Sequence, residues 1–307
     1  MRALACPASL KGVLDASSAA AALAAGLRAG GAETVELPVA DGGDGTLDAI
    51  QRSVGGDWHR ADVPDAFGRA HTARWLELAD GTAVVEAAEA IPLDPARLDP
   101  MRASSRGLGE LIAATGSPER LLVGLGGTAT VDGCAGFREA LTELPAPTRV
   151  ACDSLVPLLD AARLYAAQKG ATPEQIEELA TRLAGVDELA EFAGLPGAGA
   201  AGGLGAALAA LGGELVPGAA LVLDTAGFDA TEFDLVVTGE GRVDRTTTTG
   251  KAPGEVARRC SEAGVRCVVF GGVVDEPLEG VETVALSGDP GRACDDLVVL
   301  GERLAAE

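Results

Sequence analysis

The chain has 307 residues, of which 47% are hydrophobic and 23% charged, as in a globular protein of about two domains. Its formal net charge of −22 repels polyanions, so we expect neither nucleic acid nor an anionic membrane as a partner. The six cysteines form no C-x-x-C pair and there are only two histidines, which argues against a zinc site. Aromatic residues make up only 3%, so we expect a core of Ala, Val and Leu. Free thiols, the lack of a signal-peptide pattern and the lack of a membrane span predict a cytoplasmic protein.

The first part of the chain alternates short β-branched runs with Ala-rich segments, which predicts a parallel sheet with crossover helices. The predicted elements here are a strand over 3–6, a helix from the N-cap Asp15 to Arg28 that Gly30-Gly31 end, a strand over 33–39 and a helix after Thr46. The pattern then changes. Residues 69–78 and 82–87 flank Asp80-Gly81 and predict an antiparallel hairpin, which indicates that a second domain is inserted here.

The middle and the end of the chain return to alternating strands and helices. The predicted elements are helix 107–115, strands 120–124 and 148–152, helices near 173–184 and 203–211, strand 234–238, helix 253–263 with Pro253 in its first turn, and strand 266–270 ending at Gly271-Gly272. We therefore predict an α/β fold with a parallel-sheet, Rossmann-like main domain formed by residues 1–56 and 219–307. An inserted second α/β (α+β) domain, residues 57–218, interrupts it.

Four glycine-containing loops with polar residues are predicted at strand ends, where ligands bind in open parallel sheets. Glycine lets backbone N–H groups approach an anion, a helix N-terminus adds positive potential, and carboxylates hold Mg²⁺. The loops are Pro7–Gly12, Asp41–Thr46, Gly126–Gly133 and Gly239–Asp244. The chain has only three lysines, Lys11, Lys169 and Lys251, and each adjoins a glycine. We interpret them as sites where a compact ammonium group is needed for phosphate or carboxylate.

Two look-alike motifs do not fit their usual context. Gly250-Lys251 is not a P-loop, because Arg245 stands where the first glycine should be and Ala252 where Ser or Thr should be. Residues 197–202 match G-x-G-x-x-G, but 186–195 before them are predicted to be helical, and Pro196 directly precedes the motif. We therefore reject an NAD-dependent oxidoreductase. A helix start that allows close packing or forms a tight ligand wall is the preferred interpretation.

The four loops, in this order, resemble those of the glycerate kinase family of the two-domain bacterial type. The family's Pro-Asp-Ser-Phe-Lys-Gly corresponds to Pro7–Gly12, its Asp-Gly-Gly-Glu-Gly-Thr to Asp41–Thr46, and its Gly-Gly-Ser-Ala-Thr-Asn-Asp-Gly-Gly-Ala-Gly to Gly126–Gly136. Its Gln-Lys-Gly-Ala-Thr-Pro-Glu and Pro-Gly-Ala-Gly-Ala-Ala-Gly-Gly-Leu-Gly are intact at 168–174 and 196–205. The segments 239–244 and 250–253 are also kept. The likeness covers nearly the whole chain.

The resemblance implies transfer of the ATP γ-phosphate to a hydroxyl of D-glycerate, with Mg²⁺ and an active site between the two domains. It implies a small-molecule substrate and allows a homodimer. From charge logic we assign hypothetical roles. The catalytic candidates are Lys11, Asp41 and Asp244; the substrate- and phosphate-binding candidates are Ser9, Gly42, Gly43, Gly126, Gly127, Thr128, Gly239, Gly241, Arg242 and Lys251; the metal candidates are Asp132 and Glu240. Asp44 is an alternative to Asp41 as the acceptor of the hydroxyl proton, and Asp244 a further candidate for Mg²⁺.

The chain departs from the family pattern at four loop positions that we expect to face the active site. Ala8, Val131, Val156 and Thr246 stand where the family has Asp, Asn, Asn and Gln. Each lost hydrogen bond to substrate would cost about 1–3 kcal/mol if its partner stayed unpaired. The alternative interpretation is therefore a catalytically impaired paralogue that binds a nucleotide or a small organic acid.

Overall fold

The computed structural model describes the whole chain, Met1–Glu307. Its strands are β1 (Arg2–Ala5), β2 (Glu33–Glu36), β3 (Asp57–Pro64), β4 (Ala70–Glu77), β5 (Thr82–Glu86), β6 (Arg120–Gly124), β7 (Thr148–Cys152), β8 (Glu214–Pro217), β9 (Leu235–Val243), β10 (Arg266–Val274) and β11 (Glu282–Ala285). Its α-helices are α1 (Ala16–Ala29), α2 (Thr46–Val54), α3 (Ala87–Ala90), α4 (Arg106–Ala114), α5 (Ala135–Ala140), α6 (Ala161–Tyr165), α7 (Pro173–Ala184), α8 (Leu204–Ala210), α9 (Gly218–Thr225), α10 (Ala252–Ala263) and α11 (Ala293–Ala306). Mixed helices and largely parallel strands confirm the predicted α/β class.

The first of two compact units comprises Met1–Ala40, Asp48–Val54 and Val222–Glu307. Its five-stranded sheet has the order β11-β10-β9-β1-β2, and every neighbouring pair is parallel. The core on one face of this sheet consists of Ala, Leu and Val, with Phe270 as its one aromatic residue. The low aromatic content therefore correctly predicted an aliphatic core.

Helix α1 shows that local capping signals fix its ends. The Asp15 carboxylate accepts the Ser18 N–H at 2.7 Å, which satisfies one of the free amides of the first turn. Gly30 forms the C-cap and donates to the Gly26 carbonyl. Both predicted boundaries are confirmed. Pro253 likewise lies in the first turn of α10, as predicted, where its missing N–H is harmless.

The second unit comprises Asp41–Leu47 and Gly55–Leu221 and holds a six-stranded mixed sheet in the order β3-β4-β5-β6-β7-β8. The strands β3, β4 and β5 pair antiparallel, whereas β5 to β8 are parallel. The β4–β5 pair confirms the hairpin predicted around Asp80-Gly81. The carboxyl ends of β6 and β7 therefore lie side by side at one edge of this sheet.

Three predicted strand ends are wrong, the first because β2 ends at Glu36 and not at 39. The segment Gly239–Arg242 was expected to be a loop, yet β9 continues to Val243; β10 continues beyond Gly271-Gly272 to Val274. The glycine stretches of the two strands lie opposite each other, with Gly239 beside Phe270 and Glu240 beside Gly271. Glycine was interpreted as a terminator, but here two glycine-rich strands keep each other extended by ladder hydrogen bonds.

The rejection of a dinucleotide site at 197–202 is consistent with the local structure. The residues before the motif form a 3₁₀ turn, Asp187–Phe192, rather than a strand, and α8 begins shortly after it. The predicted domain boundaries, 1–56 and 219–307 against 57–218, stay a prediction. The two compact units differ from them chiefly at residues 41–47, which pack with the second unit. No helix is both long and apolar enough to cross a membrane.

Candidate active site

The loop after β1 in the first unit presents an exposed lysine. The Ala8 N–H donates to the Gly239 carbonyl at 2.9 Å and ties the start of the loop to β9. Gly241 lies directly beside the loop, because a Cβ added to it would be 3.4 Å from the Leu10 Cα. Lys11 follows Leu10 and its side chain is exposed. The predicted Pro7–Gly12 and Gly239–Gly241 segments are therefore neighbours.

A second lysine of this unit is held by a carboxylate on β9. The Lys251 ammonium donates to Glu240 Oε2 at 3.1 Å, and the Thr247 hydroxyl donates to Oε1 at 2.8 Å. The Glu240 side chain is 13% exposed and that of Lys251 is 32% exposed. Glu240 thus positions Lys251 at the N-cap of α10, where the helix dipole adds positive potential.

The turn between these residues contains Asp244, which is partly accessible to solvent. Its Oδ1 accepts the Thr246 hydroxyl and the Thr246 N–H, the latter at 2.7 Å. These two hydrogen bonds, the hydroxyl first, hold the pKa of Asp244 below its usual value. Asp244 is therefore an anion near Lys251. Arg242 is exposed and forms an ion pair with Asp275.

In the second unit, the Asp41–Thr46 loop is fastened by a carboxylate that sequence reasoning missed. Glu86, at the end of β5, is 2% exposed and accepts the Gly45 N–H at 3.1 Å and the Leu47 N–H at 2.9 Å. Burial raises the pKa of Glu86 to about 8, because its charged form is no longer solvated, and the two amide donors only partly oppose this. The sequence feature that could have indicated this role is a carboxylate at the end of a strand that is otherwise largely apolar.

The second and third predicted loops pack against each other. A Cβ added to Gly126 would lie 2.3 Å from the Gly43 Cα, so only a glycine allows this backbone approach. Gly127 stands close to Asp44, whose Cβ lies 3.3 Å from the Cβ position of Gly127. Asp41 Oδ1 accepts the Gly43 N–H at 3.3 Å. The two predicted loops are therefore in contact, and Asp44 and Gly127 are exposed where they meet.

Asp132 is an internal anchor of its loop. Its carboxylate accepts four hydrogen bonds, from the Ser105 N–H at 2.9 Å, the Ser105 hydroxyl at 2.8 Å, the Cys134 N–H at 3.1 Å and the Gly136 N–H at 3.3 Å. Three of these donors bond to Oδ2 and only the Cys134 N–H bonds to Oδ1, so the carboxylate anchors its loop, and its role as a magnesium ligand stays a prediction. The structure contains no group of three or more His, Cys, Asp or Glu side chains that could hold a metal ion.

A cavity of about 70 Å³ opens at the carboxyl ends of β6 and β7. The segments 126–128, 168–169 and 200–202 and the residues Asp153 and Tyr165 line it. The 200–202 turn packs tightly on the neighbouring loop, because a Cβ on Gly202 would lie 2.1 Å from the Thr130 carbonyl oxygen. Ala201 has a φ of 52°, an uncommon backbone conformation for a residue with a side chain. The predicted tight ligand wall thus borders a cavity.

Two ionisable side chains of this cavity were not among the predicted site residues. Lys169 is 4% exposed, and burial lowers its pKa to about 8, against the opposing influence of Asp153 and Asp132. Asp153 follows β7 directly and lies within reach of the Gly126 backbone. From the sequence, Lys169 was interpreted as an ammonium group for phosphate or carboxylate, but nothing in the sequence placed it or Asp153 at a cavity.

The predicted site residues thus fall into two sets. The first unit holds Ser9, Lys11, Gly239, Glu240, Gly241, Arg242, Asp244 and Lys251; the second holds Asp41, Gly42, Gly43, Gly126, Gly127, Thr128 and Asp132. Within each unit the loops lie together as described above. The expectation that both sets face one active site stays a prediction, as do the individual roles.

The sequence profile described as the glycerate kinase family matches residues 3–146 and 143–288, which is most of the chain. The chain belongs to the glycerate kinase family. It is 36% identical to a glycerate 2-kinase from Escherichia coli K12, over 84% of this chain and 81% of that protein. It is 32% identical to a glycerate kinase from Bacillus subtilis 168, over 92% and 87%. A crystal structure of a protein assigned as glycerate kinase 2 from Salmonella typhimurium LT2 superposes with a TM-score of 0.81 at 30% identity, over 100% of this chain and 97% of that one.

Two departures of this glycerate kinase family member need reinterpretation. Val131 was expected to face the active site, but it is fully buried in the hydrophobic core of the second unit. An apolar residue there removes no hydrogen bond to a ligand. Thr246, in place of Gln, supplies both hydrogen bonds that Asp244 Oδ1 accepts. These two positions therefore give little support to an impaired enzyme.

Proposed function

We propose that this protein is an ATP-dependent kinase that transfers the γ-phosphoryl group to a hydroxyl of D-glycerate. The observation that carries the proposal is its similarity to a glycerate 2-kinase and a glycerate kinase over 84% and 92% of its length. The name of the Escherichia coli relative favours the 2-hydroxyl as the acceptor. Phosphoryl transfer requires mainly positioning of the substrates and neutralisation of the developing negative charge. Accessible cations and backbone N–H groups can do both.

In the first unit, the lysines fit the role of phosphate ligands. Lys11 is exposed, and Lys251 is held by Glu240 at the start of α10. We assign Lys11 to the developing charge on the transferred phosphoryl group and Lys251 to the phosphates of ATP. Arg242 fits the role of a phosphate ligand less well, because it already pairs with Asp275 at the surface.

In the second unit, backbone amides and carboxylates fit the role of acceptor-binding groups. Gly126 to Thr128 present a glycine-rich turn at the end of β6, beside the Asp41–Thr46 loop. Asp41 and Asp44 are the candidates to accept the proton of the attacking hydroxyl. Asp41 already accepts one long hydrogen bond from Gly43, whereas Asp44 is exposed.

Magnesium would enter with ATP and be held largely by its phosphates, since Mg²⁺ commonly takes only one or two protein carboxylates. Glu240 and Asp244, both beside Lys251, fit this limited demand. Bound there, the ion would neutralise charge on the phosphates. Asp132, with four protein donors, fits it less well.

Steady-state ADP release by the purified protein with ATP, MgCl₂ and D-glycerate tests the proposal. The wild type is expected to turn over, and Lys11→Ala and Asp244→Ala to lose roughly 100-fold in kcat/KM, as when a group stabilising transition-state charge is removed. Arg163→Ala is the control, because Arg163 only pairs with Glu177 on the surface. If D-glycerate stabilises the fold but gives no ADP above an acceptor-free blank, the impaired-paralogue alternative replaces the kinase.

The homodimer and the cytoplasmic location are two further proposals. A homodimer would show in multi-angle light scattering of the purified protein as twice the 30.6 kDa chain mass. Cytoplasmic residence is testable by fractionation of the source cell.

A further inference from the structure

The second unit buries Lys169, one of the three lysines interpreted above as ammonium groups for phosphate or carboxylate, and it has not yet been given a specific role. The Lys169 ammonium donates to the Thr130 carbonyl at 2.9 Å and, over a longer 3.4 Å, to the Thr128 hydroxyl. Both acceptors are neutral. Asp153 and Asp132 attract the Lys169 ammonium as charges through space. Burial of an ammonium without a hydrogen-bonded anion is unfavourable, so such a group is expected to have a further partner.

The position of Lys169 indicates what that partner is. An ammonium has three N–H donors, and two of them are directed at Thr130 and Thr128, so one remains. Lys169 also lines the cavity at the ends of β6 and β7. An anionic group bound in the cavity would satisfy the third donor and neutralise the charge.

The cavity is open to solvent on one side, and its small volume favours a small molecule. Its volume of about 70 Å³ is far below the roughly 300–1,000 Å³ of pockets for drug-sized ligands. It is several times the roughly 10–15 Å³ that one water molecule needs. A three-carbon acid fits this volume as a whole, whereas only part of a nucleotide would.

The opposite charge in the same cavity narrows the ligand class further. Asp153 is another wall residue and lies beside Gly126, so the cavity combines a cation with a carboxylate. A simple carboxylic acid would satisfy Lys169 and be repelled by Asp153. A hydroxy acid satisfies both, because its carboxylate accepts from the ammonium and its hydroxyl donates to the carboxylate.

We propose that Lys169 is a specificity-determining residue that binds the carboxylate of a small hydroxy acid, while Asp153 receives a hydroxyl of the same molecule. The inference rests on the proposed function in that this acid is taken to be the phosphoryl acceptor. Lys169 acts on the choice of acceptor and not on the transferred phosphoryl group.

The test compares D-glycerate with its neutral amide as acceptors for the wild type and for Lys169→Met. In the variant, kcat/KM for D-glycerate should fall about 10- to 100-fold, mostly through KM, because a charge-assisted hydrogen bond is lost. The value for the amide should change far less, so the preference for the charged acceptor should shrink. Arg149→Met removes one positive charge from an exposed ion pair of the same sheet and should leave the preference unchanged.

Equal losses for both acceptors would show that Lys169 only maintains the fold and would overturn the inference. A variant that loses activity with neither acceptor would overturn it as well, because the preference for D-glycerate over the amide would again be unchanged. If Lys169→Met does not fold, the wild type alone decides: calorimetric titration must show tighter binding of D-glycerate than of its amide, and equal binding overturns the inference. This titration contains no ATP. It therefore separates a failure of the acid site from a failure of the kinase proposal, which only the turnover assay can reveal.

Discussion

The substitution Glu86→Gln tests whether a buried carboxylate fastens the Asp41–Thr46 loop. Glu86 accepts one N–H with each oxygen, from Gly45 and from Leu47. A glutamine has one acceptor oxygen, so its amide NH₂ must face the other N–H. One buried donor then loses its partner, which destabilises the second unit by about 1–3 kcal/mol.

The pH dependence of this difference follows from the raised pKa of Glu86. The carboxyl titrates at about 8 in the folded chain and near 4.5 when unfolded. Between these values the unfolded chain loses a proton that the folded chain keeps, so Glu86 lowers the free energy of unfolding as the pH rises. At about 1.4 kcal/mol for each pKa unit, the change between pH 5 and pH 7 amounts to roughly 3 kcal/mol. Glutamine does not titrate, so the unfolding free energy of the variant lacks this contribution to the pH dependence.

Urea unfolding followed by tryptophan fluorescence measures the effect selectively. The two tryptophans of the chain, Trp58 and Trp75, lie on β3 and β4 of the second unit, which also contains Glu86. The advantage of the wild type over Glu86→Gln in unfolding free energy, about 1–3 kcal/mol at pH 5, should disappear or reverse by pH 7. Glu110→Gln, at an exposed ion pair on α4, is the control and should follow the wild type. Parallel pH profiles for the wild type and Glu86→Gln would refute the reasoning, because Glu86 would then be ionised in the folded protein.

Three further predictions concern single side chains. Lys251→Arg should lower kcat/KM for ATP about tenfold or more, since a planar guanidinium cannot take the place of the compact ammonium held by Glu240; full activity would contradict the steric argument. Gly202→Ala should destabilise the second unit by about 1–3 kcal/mol in the fluorescence assay, because its Cβ would meet the Thr130 carbonyl at 2.1 Å and its φ is 72°; an unchanged urea midpoint would contradict this. Asp132→Ala should lower stability without changing the magnesium concentration for half-maximal activity, and a rise in that concentration would show that Asp132 is a metal ligand after all.

Much of the fold could be predicted because the signals are local. The helix predicted near 173–184 is present with these bounds, and its start is fixed locally, because Thr172 and Gln175 form reciprocal capping hydrogen bonds and Pro173 lies in the first turn. The hairpin around Asp80-Gly81 follows from alternation and a turn dipeptide. Strands β6 and β7 have the boundaries that their apolar runs predict.

The errors arise where a distant partner decides the outcome. The glycines of β9 continue the strand only because β10 offers an equally flexible partner. Val131 looks like a lost polar group in the loop, yet the surrounding core buries it. Burial shifts the pKa values of Glu86 and Lys169, and this burial depends on the packing of segments far away in the chain. The family motifs did not reveal that Gly239–Arg242 continues a strand, or that the Asp132 carboxylate is an anchor of its loop.

Transfer of label from γ-labelled ATP tests the central claim most directly. After incubation with the purified protein, Mg²⁺ and D-glycerate, the label should appear in phosphoglycerate, and phosphorus NMR should place it on the 2-hydroxyl. Label that remains in ATP, or is released only as inorganic phosphate, while D-glycerate still raises the melting temperature, would contradict a kinase and leave a binding protein.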